Sequence, residues 1–350
     1  MHERFQPVNM SFLSRPHSHI PKNPLFCGIL ANTMLSTVPG LSGAGPNPEG
    51  SLLVPNLDAE LIIQGRITSV DATPNTPSGC PTPASITRSM SELSGFPVLF
   101  MNAGLVHPLN IPSLDMIGAP GQDPRKSTAV PDARGLYKRG QWAGKFFSGT
   151  YDTLVLGECV PGGTTTALCV LRALGYDARV SSAAITSPAR LKEEIVATAL
   201  ERLSHSNVQD AIDIIREIGD PMMAVAAGIA DTYTGKLYLA GGTQMLAVAA
   251  LIRAYNIPTP DVVTTIYVQD DPAANCLSIA SQIGVSLTAV DPEFGAIGHS
   301  GLVRYCIGEV KEGMGAGGAM FLSHLMGYSL PDIKQSIIRF VTTYCPSKPL

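Results

Sequence analysis

At 350 residues the chain holds material for one large domain or two, with a sizeable core. Its net charge of −4 offers no basic footprint for nucleic acid, and 15% charged against 45% hydrophobic residues points to strands covered by helices on both faces. Seven scattered cysteines, none in C-x-x-C spacing, argue against a disulfide framework or a cysteine zinc site and fit a reducing, cytoplasmic setting.

Residues 1–24 carry charge and proline where a signal peptide needs an unbroken apolar run, so they read as an N-terminal extension. His17 and His19 lie close in this segment, but no carboxylate or cysteine completes a metal site around them. Leu25–Leu30 predicts a buried strand, followed by the turn-rich run TVPGLSGAGPNPEG. Asp58–Gly65 fits a short strand or a helix equally well, and Thr73–Pro83 is a loop. Ala84–Leu93 reads as a helix, Pro97–Asn102 as a buried strand, and Pro108–Pro131 as loop.

From Leu136 the texture alternates. Helices are predicted over Leu136–Phe147, Thr165–Leu174, Lys192–Leu203, Val208–Ile218, Pro221–Ala230 and Thr243–Tyr255. Strands are predicted over Thr153–Leu156, Leu237–Ala240 and Val262–Tyr267. Ala316–Leu325 and Leu330–Thr343 read as closing helices. The longest apolar stretches, Met222–Ala230 and Met245–Ile252, fall short of the roughly 18 residues that span a bilayer, so no membrane partner is expected.

This alternation predicts an α/β fold: a parallel sheet flanked by helices in a Rossmann-like three-layer arrangement, with a smaller helical lobe from the chain ends. We assign residues 25–350 to one domain. Its large lobe spans about 95–300, and its small lobe comes from about 25–94 and 301–350.

Three stretches carry candidate chemistry. In GECVPGGTTTAL, a strand runs past Glu158 through Gly162, Gly163, Thr164 and Thr165 into a helix. Such a turn offers backbone N–H groups and hydroxyls to a phosphate at a positive helix end. Gly-Gly-Thr alone is equally the mark of a tight βα turn with a threonine cap. The run is neither a Walker loop nor G-x-G-x-x-G, which leaves ATP and NAD readings weak.

LAGGTQMLAVAALI repeats the grammar with Gly241, Gly242 and Thr243, where glycines would also serve close helix–strand packing. In YCIGEVKEGMGAGGAMFL, Glu312 precedes Gly313 and Gly315 and could act as a buried general base with a raised pKa. The competing view is a surface glutamate on a flexible turn. Glu309 competes for the role, but its neighbours make it look more exposed.

Together these segments resemble the nicotinate-nucleotide:dimethylbenzimidazole phosphoribosyltransferase family, across roughly Leu25 to Thr343. The family's Gly-Glu-Met-Gly-Ile-Gly-Asn-Thr-Thr run is matched by Gly157, Glu158, Gly162, Thr164 and Thr165, while Cys159, Val160, Pro161 and Gly163 depart from it. Its Glu-Gly-x-Gly-Ala run is matched by Glu312, Gly313, Gly315 and Ala316. The N-terminal third, with STVPGLSGAG and PTPASITRSM, resembles a divergent branch, and its proline-rich segment brings Pro83 and Ser85 near the aromatic base.

The resemblance implies transfer of the phosphoribosyl group of nicotinate mononucleotide to a benzimidazole or purine-like base, for the lower ligand of cobalamin, by a homodimer. It implies Glu312 as catalytic base and Glu158 as a helper at the ribose. The phosphate would lie on Gly162–Thr165, with added charge from Lys192 or from Arg125 in GQDPRKS. The donor carries no pyrophosphate, so neither metal nor cofactor is called for. The rivals are a nucleotide-binding protein without catalysis, a dinucleotide oxidoreductase and a structural subunit.

Overall fold

The computed structural model describes residues 12–345. Residues 1–11 of the predicted extension lie outside the described residues. The strands are β1 (Pro24–Ala31), β2 (Val98–Gly104), β3 (Leu114–Asp115), β4 (Thr153–Cys159), β5 (Lys236–Ala240), β6 (Asp261–Thr265) and β7 (Leu287–Val290). All pair in parallel in one sheet of order β3-β2-β1-β4-β5-β6-β7. The order reverses between β1 and β4, and a doubly wound sheet opens a ligand crevice at that place, outside the carboxyl ends of its strands.

The helices are α1 (Pro48–Gln64), α2 (Pro83–Ser94), α3 (Ala133–Ser148), α4 (Gly163–Ala173), α5 (Ala189–Ser204), α6 (Ala211–Ile218) and α7 (Pro221–Thr232). After them come α8 (Thr243–Ala254), α9 (Ile266–Gln269), α10 (Cys276–Ile283), α11 (Ser300–Val303), α12 (Ala316–Leu325) and α13 (Leu330–Tyr344). Helices α3 to α8 and α10 cover one face of the sheet, while α1, α2, α12 and α13 cover the other. Strand β1 shows why the sequence is so apolar. Leu25, Cys27 and Ile29 enter one core and Phe26 and Leu30 the other, so every position is buried.

Several boundaries differ from the sequence reading. The turn-rich run and the ambiguous Asp58–Gly65 belong partly to one 17-residue helix, α1. Pro48 stands in its first turn, Asn47 caps it by accepting from Gly50 N at 2.7 Å, and Gly65 closes it in the left-handed region. Pro55 inside the helix is what disguises it. The β-branched run Val262–Tyr267 splits, with β6 ending at Thr265 and α9 beginning at Ile266. Strand β4 continues through Gly157-Glu158-Cys159, which puts Glu158 on the strand itself. Strand β1, grouped by sequence with the chain-end helices, lies in the middle of the sheet.

His17 and His19 do not converge on one centre: His17 Nε2 bonds the Thr288 hydroxyl at 2.8 Å and His19 Nε2 that of Thr153 at 2.7 Å. Among the described residues no helix is long and apolar enough to cross a membrane.

Candidate functional site

The two Glu-Gly motifs meet glycine to glycine. Gly315 has φ +64°, and a Cβ placed on it would stand 2.9 Å from Gly157 Cα. A Cβ on Gly157 would in turn stand 3.2 Å from the Met314 carbonyl. Only residues without side chains allow β4 and the 312–316 loop to approach this closely. The loop is pinned by Met314 N donating to Glu158 O at 3.0 Å and by the Thr87 hydroxyl of α2 donating to Met314 O at 3.0 Å. Met314 itself holds φ +50°, a strained value for a side-chain-bearing residue.

This packing brings Glu158 and Glu312 within electrostatic reach. Glu158 is 5% exposed and accepts a hydrogen bond from the Gln244 amide. Burial, then the charges of Glu312 and Asp220, pushes its pKa up to about 8. Glu312 is half-buried at the N-terminus of α12. Its Oε2 accepts from Thr265 N at 3.1 Å and its Oε1 from Gly317 N at 3.2 Å. Burial raises its pKa to about 7, and the backbone donors at Gly317, Gly313 and Thr265 oppose the rise. Glu158 therefore holds its proton more tightly than Glu312 does.

This has a consequence for stability. Between the ordinary 4.5 and about 8, the folded chain binds more protons at Glu158 than the unfolded chain does. Stability accordingly falls as pH rises through that window, by at most about 1.4 kcal/mol per pH unit from this group. Glu158→Gln removes the loss, so its Tm should exceed wild type at pH 8 and converge with it at pH 5. A Tm difference that does not change with pH would show that Glu158 ionises freely.

The glycine turn follows Glu158 at the carboxyl end of β4. Gly162 has φ +79°, and a Cβ there would stand 2.9 Å from Ser36 N, so the segment beginning STVPG seats directly on the turn. Gly163 N donates to Val160 O at 2.8 Å and Thr165 N to Gly162 O at 3.0 Å, so two of the predicted phosphate donors are engaged within the turn. The Thr164 hydroxyl accepts from Lys192 Nζ at 2.9 Å. Lys192, 2% exposed, also donates to Ser181 O at 3.0 Å and to the Ser182 hydroxyl at 2.6 Å. Among the described residues it has no carboxylate within ion-pair distance, and burial pulls its pKa down to about 7. The structure thus delivers a buried amine to the turn, with the charge of Asp271 favouring and that of Lys311 opposing its protonated form.

The second turn abuts the same centre. A Cβ on Gly241 would stand 3.2 Å from Glu158 Oε1, and the buried hydroxyls of Thr243 and Thr165 find no hydrogen-bond partner among the described residues. Gly242 N-caps α8 and accepts from Met245 N at 3.0 Å. Pro83 opens α2 beside Gly313, whose added Cβ would stand 3.4 Å from Pro83 Cγ.

Two predicted residues do not join the cluster. Arg125 spends its guanidinium on Asp123, at 2.9 Å from Nε and 2.6 Å from Nη2, because the carboxylate two residues away is the nearest anion. Ser85 turns its hydroxyl onto Thr82 O at 2.6 Å within the first turn of α2. Glu309, the competitor of Glu312, is held by Thr76, Ser78 and Arg304 and ties the 73–82 loop to the 304–309 segment.

Gly163 occupies the position where the resembling family has asparagine, and the structure gives a reason. A Cβ there would stand 2.8 Å from Gln244 Cδ. The Gln244 carboxamide, reaching from α8, fills this space and donates to Glu158. Gly163→Asn should therefore destabilise by about 1–3 kcal/mol through overpacking. Adding Gln244→Ala should recover most of that loss in a denaturant double-mutant cycle. Strictly additive effects would mean the two positions do not share space.

Sequence reasoning missed Gln244, Lys311, Asp271 and Asp58. Lys311 Nζ donates to Ser182 O at 2.8 Å, Ala184 O at 3.0 Å and Gly308 O at 2.9 Å, and pairs with Asp271 at 3.4 Å. It clamps the loop around Lys192 to the residue before Glu312. The available signals were Lys311, a charge directly before Glu312, and Gln244, which directly follows Gly241-Gly242-Thr243; Asp271 and Asp58 lie on segments that carry no motif.

No protein-family model matches the chain. It is 41% identical over 319 residues to the UPF0284 protein of Thermococcus gammatolerans, covering 89% of this chain and 96% of that one. It is 39% identical over 339 residues to the UPF0284 protein of Methanosarcina mazei, covering 94% and 97%. Its structure is similar to that of the nicotinate-nucleotide-dimethylbenzimidazole phosphoribosyltransferase from Thermus thermophilus, with TM-score 0.59 and 15% identity over 95% of this chain and 87% of that one. The structure of CobT from the same organism gives TM-score 0.60 and 15% identity over 91% and 84%. At that identity the likeness is one of fold. Similar in sequence to the archaeal proteins over nearly their whole length, the chain belongs to the UPF0284 family, on the fold of the Thermus phosphoribosyltransferase.

Proposed function

We propose that this protein transfers the phosphoribosyl group of nicotinate mononucleotide to a benzimidazole or purine-like base, giving nicotinate and an α-riboside phosphate for the lower ligand of cobalamin. One observation carries the reading. Glu158 and Glu312, brought together where β4 meets the 312–316 loop, lie by a glycine turn whose Thr164 accepts from the buried Lys192, which among the described residues has no carboxylate within ion-pair distance. Lys192 and the Thr164 hydroxyl would take the phosphate, whose negative charge would favour the protonated amine. The orphan hydroxyls of Thr165 and Thr243 are further donors at the two turns.

The chemistry is a single displacement. A ring nitrogen of the base attacks the ribose carbon as the bond to nicotinate breaks. The bonding pair neutralises the pyridinium, so the leaving group needs no acid. The other ring nitrogen of the base gives its proton to Glu312, whose pKa near 7 suits a base working near neutral pH. Glu158, the more readily protonated partner, faces the ribose. Attack opposite the leaving group inverts the β-nucleotide to the α-riboside. We take the working form to be a cytoplasmic homodimer, as the resemblance implies.

The test is incubation with nicotinate mononucleotide and a panel of bases, following nicotinate. Base-dependent release supports transfer. Donor binding by calorimetry with no release for any base would favour a nucleotide-binding protein without catalysis.

A further inference from the structure

One buried carboxylate takes no part in the chemistry above. Asp58, on α1, is 9% exposed. Its Oδ1 accepts from the Thr82 hydroxyl at 2.9 Å, and its Oδ2 faces the Cys159 thiol at 3.9 Å. Among the described residues no lysine, arginine or histidine pairs with it. A carboxylate offers about four lone-pair sites, and one hydroxyl plus a weak thiol donor leaves acceptor capacity unused. A structural role for a buried acid ordinarily comes with a cation or several strong donors. Asp58 has neither, and its pKa is raised to about 7 by burial.

Its neighbours fix where it looks. Cys159 directly follows Glu158 on β4, and Thr82 directly precedes Pro83, which lies against Gly313 beside Glu312. The buried Tyr305 feels the charges of both Asp58 and Glu312, and its own hydroxyl is committed to Pro81 O at 2.9 Å. Asp58 therefore borders the α1–α2 side of the site. Lys192 and Thr164 mark the phosphate side, on the other face of the sheet. What approaches Glu312 from the α1–α2 side, on the proposed reaction, is the acceptor base.

We infer that Asp58 is a specificity-determining residue that accepts a hydrogen bond from an N–H or O–H group on the acceptor base. This rests on the proposed phosphoribosyl transfer. The preferred acceptors are then bases with a polar donor on the six-membered ring, an aminopurine or a hydroxybenzimidazole, over the methyl-substituted dimethylbenzimidazole. Dimethylbenzimidazole would leave a buried carboxylate against two methyl groups, and a polar group left unanswered in a site is the strongest source of discrimination.

The experiment measures kcat/KM for nicotinate release with adenine and with dimethylbenzimidazole, using the full-length wild type, Asp58→Ala and Asp58→Asn. A hydrogen bond to a charged group predicts that wild type favours adenine by roughly 10- to 150-fold. Asp58→Ala should lose most of that ratio, chiefly by falling with adenine, and Asp58→Asn, which keeps an acceptor oxygen without the charge, a smaller but clear part of it. A merely structural Asp58 would lower both bases together and leave the ratio alone. If Asp58→Ala fails to fold, the isosteric Asp58→Asn carries the same test. An adenine ratio equal in wild type and variants overturns the inference while leaving transfer intact. Absence of nicotinate release with either base in the wild type overturns the transfer reading, and this inference with it.

Discussion

Glu312→Gln is expected to lower kcat by about 10²- to 10⁴-fold while nicotinate mononucleotide binds within a few-fold of wild type. Glutamine keeps the size of the side chain and one acceptor oxygen for the N–H groups of Gly317 and Thr265, so the 312–316 loop should stay in place. What it cannot do is take a proton from the incoming base. Thr164 and Lys192, proposed to take the phosphate, are bonded to each other and not to Glu312. Calorimetry on the donor and single-turnover nicotinate release separate the two effects. In wild type the rate should rise with pH through about 7, as Glu312 loses its proton, and this limb should vanish in the variant. Near-normal kcat in Glu312→Gln would mean that another group is the base.

Lys192→Met is expected to do the reverse, raising the KM for the donor by about 10- to 150-fold, the range for a lost charge-assisted hydrogen bond, with a much smaller effect on kcat. The folded pKa of Lys192 lies near 7, below its ordinary 10.5. The unfolded chain therefore binds more protons between these values, and wild-type stability is diminished toward low pH by this group. Methionine has similar reach without the charge to bury. The variant should be as stable as wild type, or more stable, at pH 6 while binding the donor worse. Loss of donor affinity together with a gain in stability is the signature of a binding residue. A variant that melts early, with unchanged KM, would assign Lys192 to structure alone through its bonds to Ser181 and Ser182.

How far the chain can be read without its structure depends on how locally each feature is encoded. The two glutamates announce themselves because glycines surround them, and the glycines are there because β4 and the 312–316 loop must touch. Helices α12 and α13 are legible from spacing, and α13 carries a Ser329–Asp332 capping box. Helix α1 is not, since Pro55 interrupts the pattern that would reveal it. The split of Val262–Tyr267 is invisible because β-branched residues continue up to the point where the chain turns into α9.

The harder cases are contacts between segments far apart in sequence. Nothing near Gly163 predicts that Gln244 fills its missing side-chain space, and nothing in α1 says that Asp58 reaches Cys159. Arg125 looks available because a loop arginine usually is, until Asp123 is seen to hold it. Lys192 has no motif around it either, yet the fold brings its ammonium to Thr164.

The most direct test of the account is the anomeric configuration of the product. The protein is incubated with nicotinate mononucleotide and an accepted base, and the riboside phosphate is examined by proton NMR as nicotinate appears. A single displacement assisted by Glu312 predicts one equivalent of nicotinate per α-riboside phosphate formed. A β-riboside, or hydrolysis of the donor by water to nicotinate and free ribose phosphate whether or not a base is present, would contradict it.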